Sequence, residues 1–137
     1  MKPEVTKHIE KTEREEIFAG LLEYNLARIE EKDPQDLGVT LRGEDGVLLA
    51  GLIGETHGLW LTVKYLWVSE RCRRRGYGSI LLQTAEETAR ERGCRYAFLD
   101  TFDFQAPLFY QKHGYREAFT LENYPVSGKR HYYTKIL

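Results

Sequence analysis

The chain has 137 residues, 42% of them hydrophobic, and a formal net charge of −1 at pH 7. This length and composition fit one globular domain spanning residues 1–137. The near-zero net charge excludes a bulk electrostatic attraction to nucleic acid or to an anionic membrane. The two cysteines are too few for a disulfide framework, and no Cys or His pair has the spacing of a metal site such as a zinc motif.

The N-terminal residues and the apolar runs of the sequence predict a cellular location. The first ten residues are polar and mixed in charge, unlike a signal peptide. The longest apolar runs are too short to span a bilayer. With cysteine usage typical of a reducing compartment, these features predict a cytoplasmic protein without a membrane partner.

The N-terminal half is predicted to begin with a short strand at Val5–Ile9. A helix follows, because Thr12 and Glu15 have capping-box spacing, and this helix ends before Asp33-Pro34. The Asp-Gly pair in Glu44-Asp45-Gly46 predicts a hairpin between the first two strands after the helix. The apolar residues at helical spacing are Ile17, Phe18, Leu21, Leu22, Leu26 and Ile29, and the strands are Gly38–Arg42, Val47–Glu55 and Leu59–Val68.

The C-terminal half is predicted to begin with a helix from Gly78 to Arg92, which Gly93 ends at its C′ position. A nearly unbroken apolar run at Arg95–Asp100 is typical of a buried strand. Pro107 begins a short helix that Gly114 ends. The helix face comprises Leu81, Leu82, Ala85 and Ala89, and the closing strands are Tyr115–Leu121 and His131–Leu137.

The segment most informative about chemistry joins the third predicted strand to the second helix. Trp67-Val68 ends the strand, and Arg73-Arg74-Arg75-Gly76-Tyr77-Gly78 leads into the helix. Glycines allow a backbone to approach a ligand closely and to adopt positive φ. The free N–H groups of the first helical turn attract an anion, so the turn predicts a pyrophosphate site.

A dinucleotide-binding fold is one alternative for this turn. It requires Gly-x-Gly-x-x-Gly and an acidic residue about 20 residues further on. Gly76, Gly78 and Asp100 satisfy part of this pattern, but Leu81 replaces the third glycine. Too little chain follows Asp100 for a doubly wound sheet, so the sequence disfavours this fold.

The arginines of the turn can also be interpreted without a bound cofactor. Arg71 to Arg75 could be a solvated charged turn or a nucleic-acid patch, and a charge run alone is usually the first of these. The glycines and the helix that follow favour phosphate binding instead.

Two segments resemble the signatures of the GNAT superfamily of N-acetyltransferases. Arg73-x-x-Gly76-x-Gly78 is similar to the family's coenzyme A pyrophosphate loop, and Gln105–Tyr115 resembles its second signature, a short helix ending in Gly and an aromatic residue. The resemblance implies an α/β (α+β) fold with a mixed, mostly antiparallel sheet flanked by helices. Its central parallel strand pair splays apart, and the pantetheine arm of the cofactor lies in the gap.

The resemblance also implies roles for individual residues. Tyr110 is expected to protonate the leaving thiolate, and a backbone N–H near Trp67 or Val68 is expected to bind the thioester oxygen. Gln105 either contacts the cofactor or caps the short helix. The expected cofactor-binding residues are Trp67, Val68, Arg73, Arg74, Arg75, Gly76, Tyr77, Gly78, Ser79 and Gln105.

The sequence does not identify the general base. Some family members carry a glutamate inside the strand before the loop, but Trp60 to Trp67 contain no carboxylate, and Thr62 lies at the corresponding place. Glu55, His57 and Asp103 are nearby candidates, and a chain of water molecules is another.

The acceptor stays open too. A small amine, an antibiotic-like polyamine and a protein lysine or N-terminus all fit the sequence. The first helix, the loop Glu122–Lys129 and the closing strands are expected to select among them. Aromatic residues that could line an acceptor pocket, or equally belong to the core and rim, are Trp60, Tyr65, Phe102, Phe104 and Tyr124.

The sequence therefore predicts an enzyme that moves an acetyl group from acetyl-coenzyme A directly to an amine, without a metal. The alternative is a non-catalytic coenzyme A sensor, which Tyr110 argues against and the missing strand carboxylate argues for. No nucleic-acid partner is expected, and a homodimer is compatible with the sequence.

Overall fold

The computed structural model describes residues 1–30 and 33–137. These residues form two compact units, of which the second begins at Asp33. In the first unit, helix α1 spans Lys11–Leu26. The helix begins after Glu10 without a side-chain cap, so Thr12 lies inside it and the predicted capping box is wrong. Val5–Ile9 forms no strand, because the described part of this unit offers no second strand to pair with. The apolar residues spaced along α1 are exposed.

The second unit is built on a six-stranded sheet in the order β1-β2-β3-β4-β6-β5. All neighbouring strands are antiparallel except β3 and β4. A single parallel pair is incompatible with a doubly wound dinucleotide fold. In chain order the elements are β1 Gln35–Arg42, β2 Leu48–His57, β3 Trp60–Val68, α2 Tyr77–Glu91, β4 Tyr96–Phe102, α3 Pro107–Lys112, β5 Arg116–Leu121 and β6 Arg130–Ile136.

The predicted fold class is confirmed, including the splayed parallel pair. β3 and β4 pair only at Trp60–Tyr96, Leu61–Ala97 and Thr62–Phe98, after which they diverge. The rest of β3 then pairs with β2 alone, while β4 pairs with β6 on its other side. The divergence opens a gap at the centre of the sheet.

A β-bulge in β3 changes which side chains face each side of the sheet. Ile53 of β2 pairs with Tyr65, and Gly54 pairs with Val63, so Lys64 is the extra residue. Before the bulge, Leu61 and Val63 are buried, whereas Tyr65 and Trp67 after it are exposed. The bulge therefore turns Tyr65 and Trp67 away from the core face.

One face of the sheet carries the core. The predicted apolar face of α2 is confirmed, since Leu81, Leu82, Ala85 and Ala89 are fully buried. They share one cluster with the inward side chains of the sheet, including Ala97 and Leu99 of β4, and with Tyr110 of α3. The alternate residues of β4, which are Tyr96, Phe98, Asp100 and Phe102, lie on the opposite face.

The predicted turns are also confirmed by the backbone. Gly46 has φ of 82° in the hairpin after Asp45, and Gly93 and Gly114 have φ of 92° and 88° beyond α2 and α3. Pro107 occupies the first turn of α3. In the described part of the chain, no helix is long and apolar enough to cross a membrane.

Candidate functional site

The gap between the splayed strands is an open cleft of about 1090 Å³. One wall is the second half of β3, residues 63–68, and the other is the end of β4, residues 99–101. The arginine-glycine turn and the start of α2 close one end, where residues 76–79 line the cleft. Residues 104–106 and α3 supply Phe109 and Tyr110.

The structure brings most of the sequence-predicted site residues together in this cleft. Arg75 is exposed and does not line it. Among the base candidates, Glu55, His57 and Asp103 also lie outside the lining, whereas Tyr65 and Phe104 of the aromatic set belong to it. The predicted residues that line the cleft are Trp67, Val68, Arg73, Arg74, Gly76, Tyr77, Gly78, Ser79, Gln105 and Tyr110.

The turn before α2 has the backbone geometry of an anion site. Gly76 is the N-cap of α2 with φ of 81°, and Arg74 also has a positive φ, 66°. The Ile80 N–H donates to the Gly76 carbonyl at 3.1 Å, which is the first bond of the helix. The N–H groups of residues 77–79 precede that bond, so they are left for a ligand at the helix N-terminus.

The start of α2 packs closely on α3. A Cβ on Gly78 would lie 3.3 Å from Cζ of Phe109, so any side chain there would press on this ring. One residue further on, Ser79 Oγ lies 2.9 Å from His113 Nε2. These contacts hold the anion-binding end of α2 beside the helix that carries Tyr110.

Gln105 shapes the loop between β4 and α3. Its Oε1 accepts a hydrogen bond from the Phe102 N–H at 2.7 Å and one from Thr101 Oγ1 at 3.2 Å. The N-cap of α3 is Ala106, which has no side-chain cap, so the interpretation of Gln105 as a helix cap is wrong.

Tyr110 is buried, with 8% of its surface exposed, and its ring packs edge-on against Phe109 and Tyr115. The residue lines the cleft, and none of the hydrogen bonds among the described residues involves its hydroxyl. Burial, and secondarily the negative charge of Asp100, raises the pKa of Tyr110 to about 12. Tyr110 is therefore a protonated donor at physiological pH.

Asp100 is a cleft residue to which the sequence gave no role in acetyl transfer. It lies on β4 beyond the last residue that pairs with β3, and its Oδ2 accepts a hydrogen bond from Arg130 Nε at 2.7 Å. The Arg130 guanidinium lies over three rings, with centroid distances of 5.7 Å to Phe102 and 5.2 Å to both Tyr124 and Tyr132. The sequence did contain a signal for Asp100, because it is the one carboxylate among the aromatic residues on the face of β4 opposite the core.

A second ionisable cluster surrounds His131 on β6. Its Nε2 contacts Asp103, and its Nδ1 lies 3.0 Å from both Glu117 Oε1 and Thr120 Oγ1. The hydrogen bond to Asp103, followed by the one to Glu117, raises the pKa of His131. None of these residues lines the cleft, so the cluster holds β5, β6 and the β4–α3 loop together.

Comparisons of sequence and of structure both match this chain to acetyltransferases. The model of the acetyltransferase (GNAT) family matches residues 4–115. Acetyltransferase Atu2258 of Agrobacterium fabrum (strain C58) is 42% identical over 101 residues, which are 74% of each chain. Blasticidin-S acetyltransferase of Streptomyces morookaense is 45% identical over 96 residues, covering 69% of this chain and 71% of its own. A crystal structure from Agrobacterium tumefaciens, 33% identical, superposes with a TM-score of 0.94 over 100% of both chains.

Proposed function

Because the chain belongs to the GNAT family of acetyltransferases, we propose that it transfers the acetyl group of acetyl-coenzyme A directly to an amine. The reaction is R–NH2 + CH3CO–SCoA → R–NH–COCH3 + HS–CoA. The observation that carries the proposal is the single cleft that joins the N-terminus of α2, the splayed strands and the Tyr110 side chain.

The residues present fit coenzyme A. The N–H groups at the start of α2 and the side chains of Arg73 and Arg74 would hold the pyrophosphate, because they line the same end of the cleft. Arg73 Nε lies 3.4 Å from the Val68 carbonyl, so this side chain folds over the end of β3. The exposed Arg75 adds positive charge beside them. The gap between β3 and β4 would take the pantetheine arm.

The edge of β3 supplies a donor for the thioester carbonyl. Beyond Thr62, β3 pairs only with β2, so alternate backbone N–H groups of residues 63–68 point into the cleft. A backbone N–H near Trp67 or Val68 would bind the oxygen as negative charge develops on it. Such a donor is fixed in place before the reaction and needs no reorganisation.

Tyr110 would stabilise the leaving sulfur. An ordinary thiol has a pKa of about 8.5, so complete proton transfer from a tyrosine of pKa about 12 to a free thiolate is uphill by roughly 5 kcal/mol. We infer that Tyr110 donates a hydrogen bond as charge builds on sulfur. The proton lost by the amine passes to water, and the released thiolate takes a proton from water, so the reaction as a whole balances.

The test is a panel of amines with acetyl-coenzyme A and colorimetric detection of free thiol. Blasticidin S is the first acceptor to include, because a relative carries that name; alkylamines and peptide N-termini follow. Acetyl-coenzyme A is also expected to raise the melting temperature, and NAD is not. Binding of acetyl-coenzyme A without transfer to any amine would support the sensor, and a shift with NAD alone would refute the proposal.

A further inference from the structure

We propose that Asp100 binds the acceptor ammonium and that the exposed rings of Tyr65, Trp67 and Phe104 bind a flat ring attached to it. The preferred acceptor is then an alkylamine that carries an aromatic or heteroaromatic ring. This inference rests on the proposed function and names the substrate class of the same cleft. All four residues line the cleft.

The position of Asp100 places it across the sheet from Tyr110. Phe98 is the last residue of β4 that pairs with β3, and Asp100 follows it on the same face of the strand. Tyr110 belongs to the core cluster with Leu99, on the other face. A thioester held in the gap would therefore have Tyr110 on one side, near the leaving sulfur, and Asp100 on the side from which an amine can approach.

The Asp100 carboxylate is fixed but retains capacity to bind. Arg130 donates to Oδ2 from Nε, and Arg130 also donates from Nη1 to the Tyr124 hydroxyl at 3.1 Å. A carboxylate accepts up to about four hydrogen bonds, so Asp100 can also accept one from an ammonium group. The Asp100 side chain is 28% exposed, which lets a cleft ligand reach it.

Holding the amine is a better assignment for Asp100 than removing its proton. The Asp100 Oδ2 already accepts a hydrogen bond from Arg130, and a carboxylate held in an ion pair is a poor proton acceptor. Asp100 instead orients the nitrogen toward the thioester, and the ammonium proton leaves to water before attack. The neutral amine keeps its hydrogen bond to the carboxylate.

The aromatic part of the proposal follows from exposure. Phe104 is 83% exposed, Tyr65 69% and Trp67 48%, and all three rings lie at one cleft. The bulge at Lys64 sets Tyr65 and Trp67 on the outer face, where Asp100 also lies. One face of the Phe104 ring stacks on Phe102 at 5.4 Å with an interplanar angle of 6°. A planar ligand could stack on the other side.

The first experiment measures equilibrium binding, so it does not depend on turnover. Tryptamine and propylamine are titrated into the protein saturated with coenzyme A, since both carry an ammonium but only tryptamine has a ring. We expect tryptamine to bind at least tenfold more tightly. Phe104→Ala is expected to reduce the preference for tryptamine by about five- to tenfold and to leave the propylamine Kd unchanged. Equal affinities for the two amines in the parent protein would overturn the aromatic assignment.

The second experiment separates a role in binding from a structural role. Asp100→Asn and Arg130→Met both break the Asp100–Arg130 ion pair, but only Asp100→Asn removes the carboxylate. Asp100→Asn is expected to raise the tryptamine Kd tenfold or more beyond the effect of Arg130→Met, with the Kd of acetyl-coenzyme A unchanged. Asp103→Asn, which alters a nearby carboxylate outside the cleft, serves as the matched control and should leave the tryptamine Kd unchanged. Equal effects of Asp100→Asn and Arg130→Met would show that the pair is only structural.

The two proposals fail in different ways. Tight, Asp100-dependent binding of tryptamine without acetyl transfer would contradict the proposed function and leave the amine site standing. Acetyl transfer to amines with an unchanged tryptamine Kd in Asp100→Asn would support the proposed function and overturn the amine site.

Discussion

Gly78 of α2 faces the ring of Phe109 on α3, and a Cβ on Gly78 would lie 3.3 Å from that ring. From the sequence, Gly78 is expected to be needed because a side chain would block the phosphates or the required backbone angles. The structure adds a further reason: if residue 78 carried a side chain, α2 and α3 could not pack at their present distance.

The first prediction separates these two reasons. Gly78→Val is expected to weaken acetyl-coenzyme A binding at least tenfold, measured by calorimetric titration. Adding Phe109→Leu removes the ring that the valine would press on. If the loss arises from displacement of α3, the double variant recovers most of the affinity; if it arises at the phosphates, the affinity stays low. Unchanged affinity in Gly78→Val would show that the pyrophosphate is not held here.

The second prediction concerns the positive φ of Gly76. Gly76→Ala and Gly93→Ala both place a side chain at positive φ, 81° and 92°, with no atom within 4 Å of the new Cβ. Each substitution is expected to lower the free energy of unfolding by about 1 kcal/mol. Only Gly76→Ala is expected to weaken acetyl-coenzyme A binding, because only Gly76 lines the cleft. Equal binding losses in both variants would point to a general loss of stability.

The third prediction concerns Tyr110. Tyr110→Phe keeps the ring in the core but removes the hydrogen bond to the leaving sulfur, so kcat is expected to fall by about ten- to a thousandfold, with little change in KM or melting temperature. Because the pKa of Tyr110 is about 12, the pH–rate profiles of the parent and the variant are expected to have the same shape below pH 10. Parent-like turnover by Tyr110→Phe on a confirmed acceptor would leave the residue a purely structural role.

The fourth prediction is a pH dependence of stability from His131. Its pKa is raised in the folded state by Asp103 and Glu117, so its stabilising effect is complete below the unfolded value of about 6.5. The effect is lost as pH rises through the folded-state pKa. The difference in free energy of unfolding between the parent and His131→Gln is therefore expected to be larger at pH 6 than at pH 9. A difference that does not change with pH would contradict this assignment.

The fifth prediction concerns the buried carboxylate of Glu86 on α2, which is 3% exposed. Lys135 Nζ lies 2.9 Å from its Oε1, and the Tyr115 hydroxyl donates to its Oε2 at 2.8 Å. Lys135→Met leaves the charge buried with one partner and is expected to cost about 3–5 kcal/mol in urea unfolding. Glu86→Gln in the same background removes the charge and is expected to recover part of that loss. Strictly additive effects would contradict the coupling of the two side chains.

The sequence by itself determined most elements of the second unit and the order in which they occur. Local signals were sufficient there, because glycines at positive φ, the apolar face of α2 and the apolar runs of the strands act within short segments. The arginine-glycine turn and the Gln105–Tyr115 segment also identified the family from residues that are close along the chain.

Only the tertiary structure decided which residues share the cleft. The bulge at Lys64 depends on pairing with β2, and it sets Tyr65 and Trp67 on the outer face. Asp100 and Arg130 are 30 positions apart, and they meet because β4 and β6 are neighbours in the sheet. Such contacts depend on strand order and register, which a local pattern does not encode. The same reason explains why Asp100, rather than Glu55 or Asp103, is the carboxylate in the cleft.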